Sequence, residues 1–183
     1  MKKITINYIV LNMCAFAFFL LFSNGISAQT YCIPSPANMY DQGITNVSFS
    51  TVNNTTGNEA GNYGDYSTQI GSGVQGETIG INITLDTRFQ CKMSIWIDWD
   101  NNGSFDDLGE KVYDVIANPV TIINTTFTIP IGASLGNHRI RIGGKYAGYA
   151  GPTDSCYTGN YGAYEDYTLN VLPIPPCTTP SSD

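Results

Sequence analysis

Thirteen residues, Asp98 to Glu110, hold five carboxylates: Asp98, Asp100, Asp106, Asp107 and Glu110. They follow the apolar run from Met93 to Ile97. Hard oxygen donors packed this densely suit a hard cation, and calcium takes six to eight of them. The first half keeps a calcium-loop grammar: Asp98, Asp100, Asn102 and Ser104 at alternating positions, Gly103 at the sharp turn, then Phe105 and Asp106. The second half departs from it. An EF-hand places a bidentate Glu at its twelfth position, where Gly109 stands with Glu110 one residue late. Flanking helices are also missing, because Ile95 to Ile97 before the loop and Val112 and Tyr113 after it favour strand. The expectation is a calcium loop between two strands. The competing reading is a solvated acidic hairpin turned by Asn101, Asn102 and Gly103.

A second acidic pair, Glu165 and Asp166, lies far along the chain. If its strand neighbours the one carrying Asp98, these carboxylates could complete one cation shell with Asp98, Asp100, Asn102, Ser104, Asp106 and Glu110. Alternation puts Glu165 and Asp166 on opposite faces, so one is expected to face the site, with Glu165 preferred. The competing partners are Arg139 and Arg141, whose planar forks match carboxylates.

Elements that could position these groups alternate with period two. Thr78 to Leu85 places Ile79, Ile81, Ile83 and Leu85 on one face. Ile44 to Val52, Met93 to Trp99, Lys111 to Ile116, Thr121 to Ile129, His138 to Ile142 and Tyr164 to Val171 are the other expected strands, separated by Gly, Pro and Asn clusters. The prediction is an all-β antiparallel β-sandwich, with a jelly-roll arrangement as one form of it. Long amphipathic stretches for an α/β fold are absent.

The ends set the context. Met1 to Lys3, an apolar stretch from Tyr8 to Phe22, and Ser27 with Ala28 read as a signal peptide over 1–28, removed on export. Cys14 follows Asn12 and Met13, which do not fit a lipoprotein cleavage site. The sandwich is expected over 29–172, and 173–183 is a proline-rich linker, suited to further domains of a longer chain. After the leader no apolar run is long enough for a membrane span. A formal net charge of −7 disfavours nucleic acid and anionic membrane as partners. Cys32, Cys91, Cys156 and Cys177 are disulfide candidates, with three connectivities open.

Tyr146, Tyr149, Tyr157 and Tyr161 lie in or beside the Gly-rich stretch 143–162, read as a long surface loop and as a ligand-binding surface. Trp96 and Trp99 face opposite ways on their strand, so at most one enters the main core. His138 stands without a nucleophile signature and reads as a surface or structural residue. Glu165 with a loop Asp could in principle form the paired carboxylates of a secreted glycosidase, or the chain could be an accessory part of a glycosidase or protease. The absence of a complete catalytic constellation favours a non-catalytic module.

Several motifs together resemble the GEVED domain of secreted and cell-surface proteins of the Bacteroidetes group. They are Tyr31 to Pro34, Ile44 to Val47, Asp65 to Ser67, Trp96 to Asp100 with Asn102, Gly103, Phe105 and Glu110, Gly136 with Arg139 to Arg141, and Gly162 to Tyr167 before the strand Thr168 to Val171. Ala163 stands at the first acidic position of the signature, while Glu165 and Asp166 are kept. The resemblance implies a β-rich extracellular module without a known catalytic activity. The combined expectation is a calcium-stabilised adhesion module whose partner is an extracellular polysaccharide or a surface protein.

Overall fold

The computed structural model describes residues 30–38, 42–57, 62–87, 89–117 and 122–176. The expected signal peptide over 1–28 and Cys177 therefore lie outside the described residues. Among those described, nine strands form: β1 Gln42–Phe49, β2 Val52–Thr55, β3 Tyr63–Val74, β4 Thr78–Thr87, β5 Cys91–Ile97, β6 Lys111–Ala117, β7 Ile122–Thr128, β8 Gly136–Tyr146 and β9 Gly162–Leu172. They build a four-stranded sheet in the order β2-β1-β4-β7 and a five-stranded sheet in the order β3-β9-β8-β5-β6. The all-β sandwich is as expected. Every pairing is antiparallel except β3 with β9, which is parallel. No helix among the described residues is long and apolar enough to cross a membrane.

Alternation drives the packing. Ile79, Ile81, Ile83 and Leu85 of β4 are all buried, while Gly80 and Asn82 are exposed. Each such aliphatic side chain contributes roughly 1.5–3 kcal/mol on burial. A register shift between Ile44 and Asn46 in β1 lets Ile44, Val47 and Phe49 all face inward despite their uneven spacing. From the other sheet, Met93, Ile95, Ile97, Ile140, Ile142, Tyr167, Leu169 and Val171 meet this face.

The long strand β3 was absent from the expected elements, and Ile44 to Val52 divides into β1 and the start of β2. Two positions of β3 that close on the core are glycines. A Cβ on Gly71 would strike the Phe49 ring, and one on Gly73 would strike Ile79 and Ile129. A strand whose inward positions are empty leaves no hydrophobic period to read.

The five-stranded sheet is buried on its outer face too. Trp96, Phe105 and Tyr164 form a second small core there, joined by Tyr31, Tyr63 and Tyr157. Two segments cover it, the N-terminal 30–38 and the loop 147–161. They bond to each other through Ser35 N to Tyr157 O at 3.0 Å and Ala37 N to Gly159 O at 2.9 Å. Trp96 thus occupies the second core, and Trp99 packs partly against the main one, in keeping with their opposite directions.

Gly143 of β8 lies directly beneath the Tyr164 ring, where a methyl group has no room. Gly143→Ala is expected to destabilise the domain by roughly 1–3 kcal/mol through overpacking. A urea melt should show a lower midpoint with an unchanged slope; an unaltered midpoint would disprove the close approach.

Candidate functional site

The acidic loop runs from Asp98 to Glu110 between β5 and β6, pinned at its mouth by Ile97 N to Glu110 O at 2.8 Å. Left-handed backbone at Asn101, Gly103 and Gly109 coils it tightly. Side-chain acceptors turn the chain locally. Asn102 N donates to Asp100 Oδ1 at 3.1 Å, Ser104 N to Asn102 Oδ1 at 2.7 Å, and Asp106 N to Ser104 Oγ at 3.1 Å.

Three carboxylates converge. One oxygen each from Asp98, Asp100 and Glu110 lies within 4.8 Å of the others. Asp98 and Glu110 are buried and Asp100 is exposed. Asp98 accepts from Asn102 N at 3.2 Å, Gly103 N at 2.9 Å and the Tyr31 hydroxyl at 2.7 Å. Glu110 accepts from Trp99 N at 3.0 Å and Asp107 N at 3.4 Å. Burial pushes the Glu110 carboxyl up to about 7; the Trp99 and Asp107 amides oppose the shift, and the charges of Asp98 and Asp100 add to it. A cation held among these oxygens would remove that repulsion.

The remaining predicted ligands sit elsewhere. Asn102 borders the group and orients it, donating to Asp100 Oδ2 at 3.1 Å and Asp107 Oδ2 at 2.6 Å. The Ser104 hydroxyl donates to Asp106 at 3.3 Å, and these two are not among the three converging carboxylates. His138 is wholly buried and structural, with Nδ1 2.8 Å from the Asp98 carbonyl and Nε2 2.8 Å from the Ser134 carbonyl.

Neither Glu165 nor Asp166 belongs to the converging group. The two do point to opposite faces, but the preferred inward residue, Glu165, enters the space between the sheets. It accepts from Thr56 Oγ1 at 2.8 Å and the Tyr167 hydroxyl at 2.7 Å. Asp166, wholly buried on the outer face, takes a fork from Arg141, with Nε to Oδ1 at 2.7 Å and Nη2 to Oδ2 at 2.8 Å. Arg139 at 3.2 Å and the Tyr63 hydroxyl at 2.9 Å complete its shell. A guanidinium outcompetes a distant cation site for a buried carboxylate because it supplies charge and directed donors at once. Glu165 and the loop carboxylates consequently lie on opposite faces of the sheet and do not form the facing pair that glycoside hydrolysis needs.

Tyr31 connects the two acidic regions. Its hydroxyl bonds Asp98 while the Arg139 guanidinium lies 4.8 Å over its ring. Burial, then the Asp98 hydrogen bond, holds the phenol well above its ordinary value. Sequence reasoning quoted Tyr31 only as a motif residue. Nothing in its spacing places it 67 positions away on Asp98.

Three of the four candidate tyrosines gather. Tyr146 meets Tyr149 edge-on at 5.7 Å, and Tyr149 stacks on Tyr161 at 5.8 Å. Phe89, which was not anticipated, joins Tyr146 at 5.7 Å and is 50% exposed. Its place in a short connection between β4 and β5 gave no period to flag it. Tyr157 turns away, packing toward Tyr164 at 6.4 Å beneath Lys145. The loop is held by Lys92 Nζ on the carbonyls of Tyr149 and Gly151 at 2.8 and 2.7 Å.

Cys32 and Cys156 form a disulfide. Cys91, also a disulfide candidate, is instead a buried free thiol at the end of β5, with its pKa pushed up to about 11 by burial. Its inward position in the main core explains why it has no partner there.

The fold and these features define a two-sheet β-sandwich module with an acidic loop and a disulfide-fastened outer layer. Residues 92–170 match the model of the GEVED domain family. The resemblance drawn from the motifs is borne out over that range. Among solved structures, a chitin binding domain from Burkholderia pseudomallei is similar at 14% identity, covering 57% of this chain and 57% of its own, with a TM-score of 0.40. A lytic polysaccharide monooxygenase AA15 from Thermobia domestica, in the Cu(I) state, is similar at 11% identity, covering 55% of this chain and 61% of its own, with a TM-score of 0.38. The chain thus spans less than two thirds of either structure. No curated protein matches it.

The Glu110 carboxyl makes a pH test. Its proton leaves near 4.5 in an unfolded chain and near 7 in the folded one. Between those values the folded state binds the extra proton, so stability falls as pH rises through the window. In chelator, the urea midpoint should decline from about pH 5 to about pH 7.5, and Glu110→Gln should flatten that decline. A midpoint that rises over this range in the wild type, with Glu110→Gln unchanged, would refute the assignment.

Proposed function

We propose that this chain is an exported, non-catalytic binding module that is stabilised by calcium and grips an extracellular polymer with exposed aromatic rings. The observation that carries the binding reading is the cluster of Phe89, Tyr146, Tyr149 and Tyr161, held at one surface by lysine contacts to the loop backbone. Aromatic rings present apolar faces to sugar rings and serve as anchors in protein contacts. The disulfide and the N-terminal leader motif support export. Three converging carboxylates, two of them buried, support calcium, with waters and carbonyls as the remaining ligands. Extracellular polysaccharide is the favoured partner, because Tyr149 and Phe89 offer exposed rings on a firm base.

Two measurements test this. A glycan array should retain the protein on at least one polysaccharide class, and Phe89→Ala with Tyr149→Ala should weaken retention about tenfold, near 1.4 kcal/mol, with an unchanged melt. No retention on any glycan, with a protein partner recovered instead, would redirect the reading to protein adhesion. Separately, EDTA should lower the melting temperature by several degrees and calcium should restore it, because a ligand that binds only the folded state stabilises it. An unmoved melt together with no heat of calcium binding would end the calcium assignment.

A further inference from the structure

Arg141 does more than pair with Asp166. Nε and Nη2 hold the carboxylate, which leaves Nη1 facing the Ser155 carbonyl at 2.8 Å and Cys32 Sγ at 3.2 Å. Nη2 also donates to the Cys32 carbonyl at 2.9 Å. The guanidinium is wholly buried, with the Phe105 ring 4.9 Å away and the Tyr63 ring 5.8 Å away. Asp166 is shared with Arg139, so two guanidiniums and one buried carboxylate lie on this side of the disulfide. Asp65 reaches Arg139 only from solvent, at 3.5 Å. Cys156 Sγ, by contrast, has no cation beside it among the described residues: the Ser155 hydroxyl lies at 3.7 Å, and the Asp154 carboxylate accepts from the Cys156 amide at 2.8 Å. Both cysteine residues are exposed.

We propose that the Cys32–Cys156 disulfide is a thiol-exchange site of fixed polarity, modified at Cys156 by small thiols while Cys32 departs as a thiolate held by Arg141. The attacking thiol first releases its proton to solvent. Its thiolate forms a bond to Cys156 Sγ, the Cys32–Cys156 bond breaks, and the electron pair leaves on Cys32 Sγ. The small thiol is oxidised into the mixed disulfide and Cys32 is reduced. A second thiol can then attack the mixed disulfide and free Cys156. Leaving-group stability sets the direction, because the better-stabilised thiolate departs faster. This assignment is independent of any polymer the module binds.

The test uses glutathione on the folded chain near neutral pH, followed by acid quench, alkylation of free thiols and peptide mapping. Glutathione on Cys156 with alkylated Cys32 should exceed the reverse pattern by about tenfold or more. In concentrated guanidinium chloride, where the buried cluster is gone, the two patterns should approach parity. Arg139→Gln removes one positive charge without touching Arg141 and should lower the folded-state ratio severalfold. Parity or a reversed ratio in the folded wild type would overturn the proposal, as would an absence of exchange. A ratio that Arg139→Gln leaves unchanged would assign the polarity to sulfur exposure and overturn the cation's role.

Discussion

A charge taken out of water must be met by another charge and by directed hydrogen bonds, and in this domain Arg141 and Asp166 meet that demand for each other. They face one another across β8 and β9, at the register pair Arg141 with Asp166. With both side chains wholly buried, removal of either partner strands the other, a loss of about 3–5 kcal/mol. What distinguishes this pair is its remaining donors, which reach the N-terminal segment at Cys32 and the covering loop at Ser155. The outer aromatic core forms where those two segments come down on the sheet. Trp96, Phe105 and Tyr164 are buried beneath the cover that Arg141 and the disulfide fasten.

The acidic loop depends on the same layer. Asp98 is a buried carboxylate beside two others, and two backbone amides and a tyrosine hydroxyl from the N-terminal segment satisfy its oxygens. Tyr31 spans the gap from this loop to Arg139, so the loop and the ion pair share one support.

Much of the sandwich was legible in the sequence because β4 and β7 alternate buried apolar residues with exposed ones. The acidic loop and its boundaries were also legible, since Asn101, Gly103 and Gly109 mark its turns. Three things were hidden. Strand β3 carries glycines where apolar residues would advertise a buried face. The outer core draws on Tyr31, Tyr63 and Trp96 from distant positions, which no local pattern can unite. The destination of Glu165 and Asp166 depended on which sheet face holds the arginines, and alternation alone says only that the two differ. Cys91 shows the same limit: a cysteine count cannot tell a bridge from a core thiol.

The parallel pairing of β3 with β9 has a consequence for how the chain becomes a domain. Among the described residues, β3 is an edge strand with β9 as its one neighbour in the sheet. Strands β1, β2 and β4 can pair among themselves as soon as residue 87 is present, but β3 must wait until residues 162–172 exist. Contacts across such a separation close late and slowly. The sheet is thus completed last at its β3 edge, by the segment that carries the family signature. A chain shortened before β9 would leave β3, with its open backbone, looking for any other strand to join.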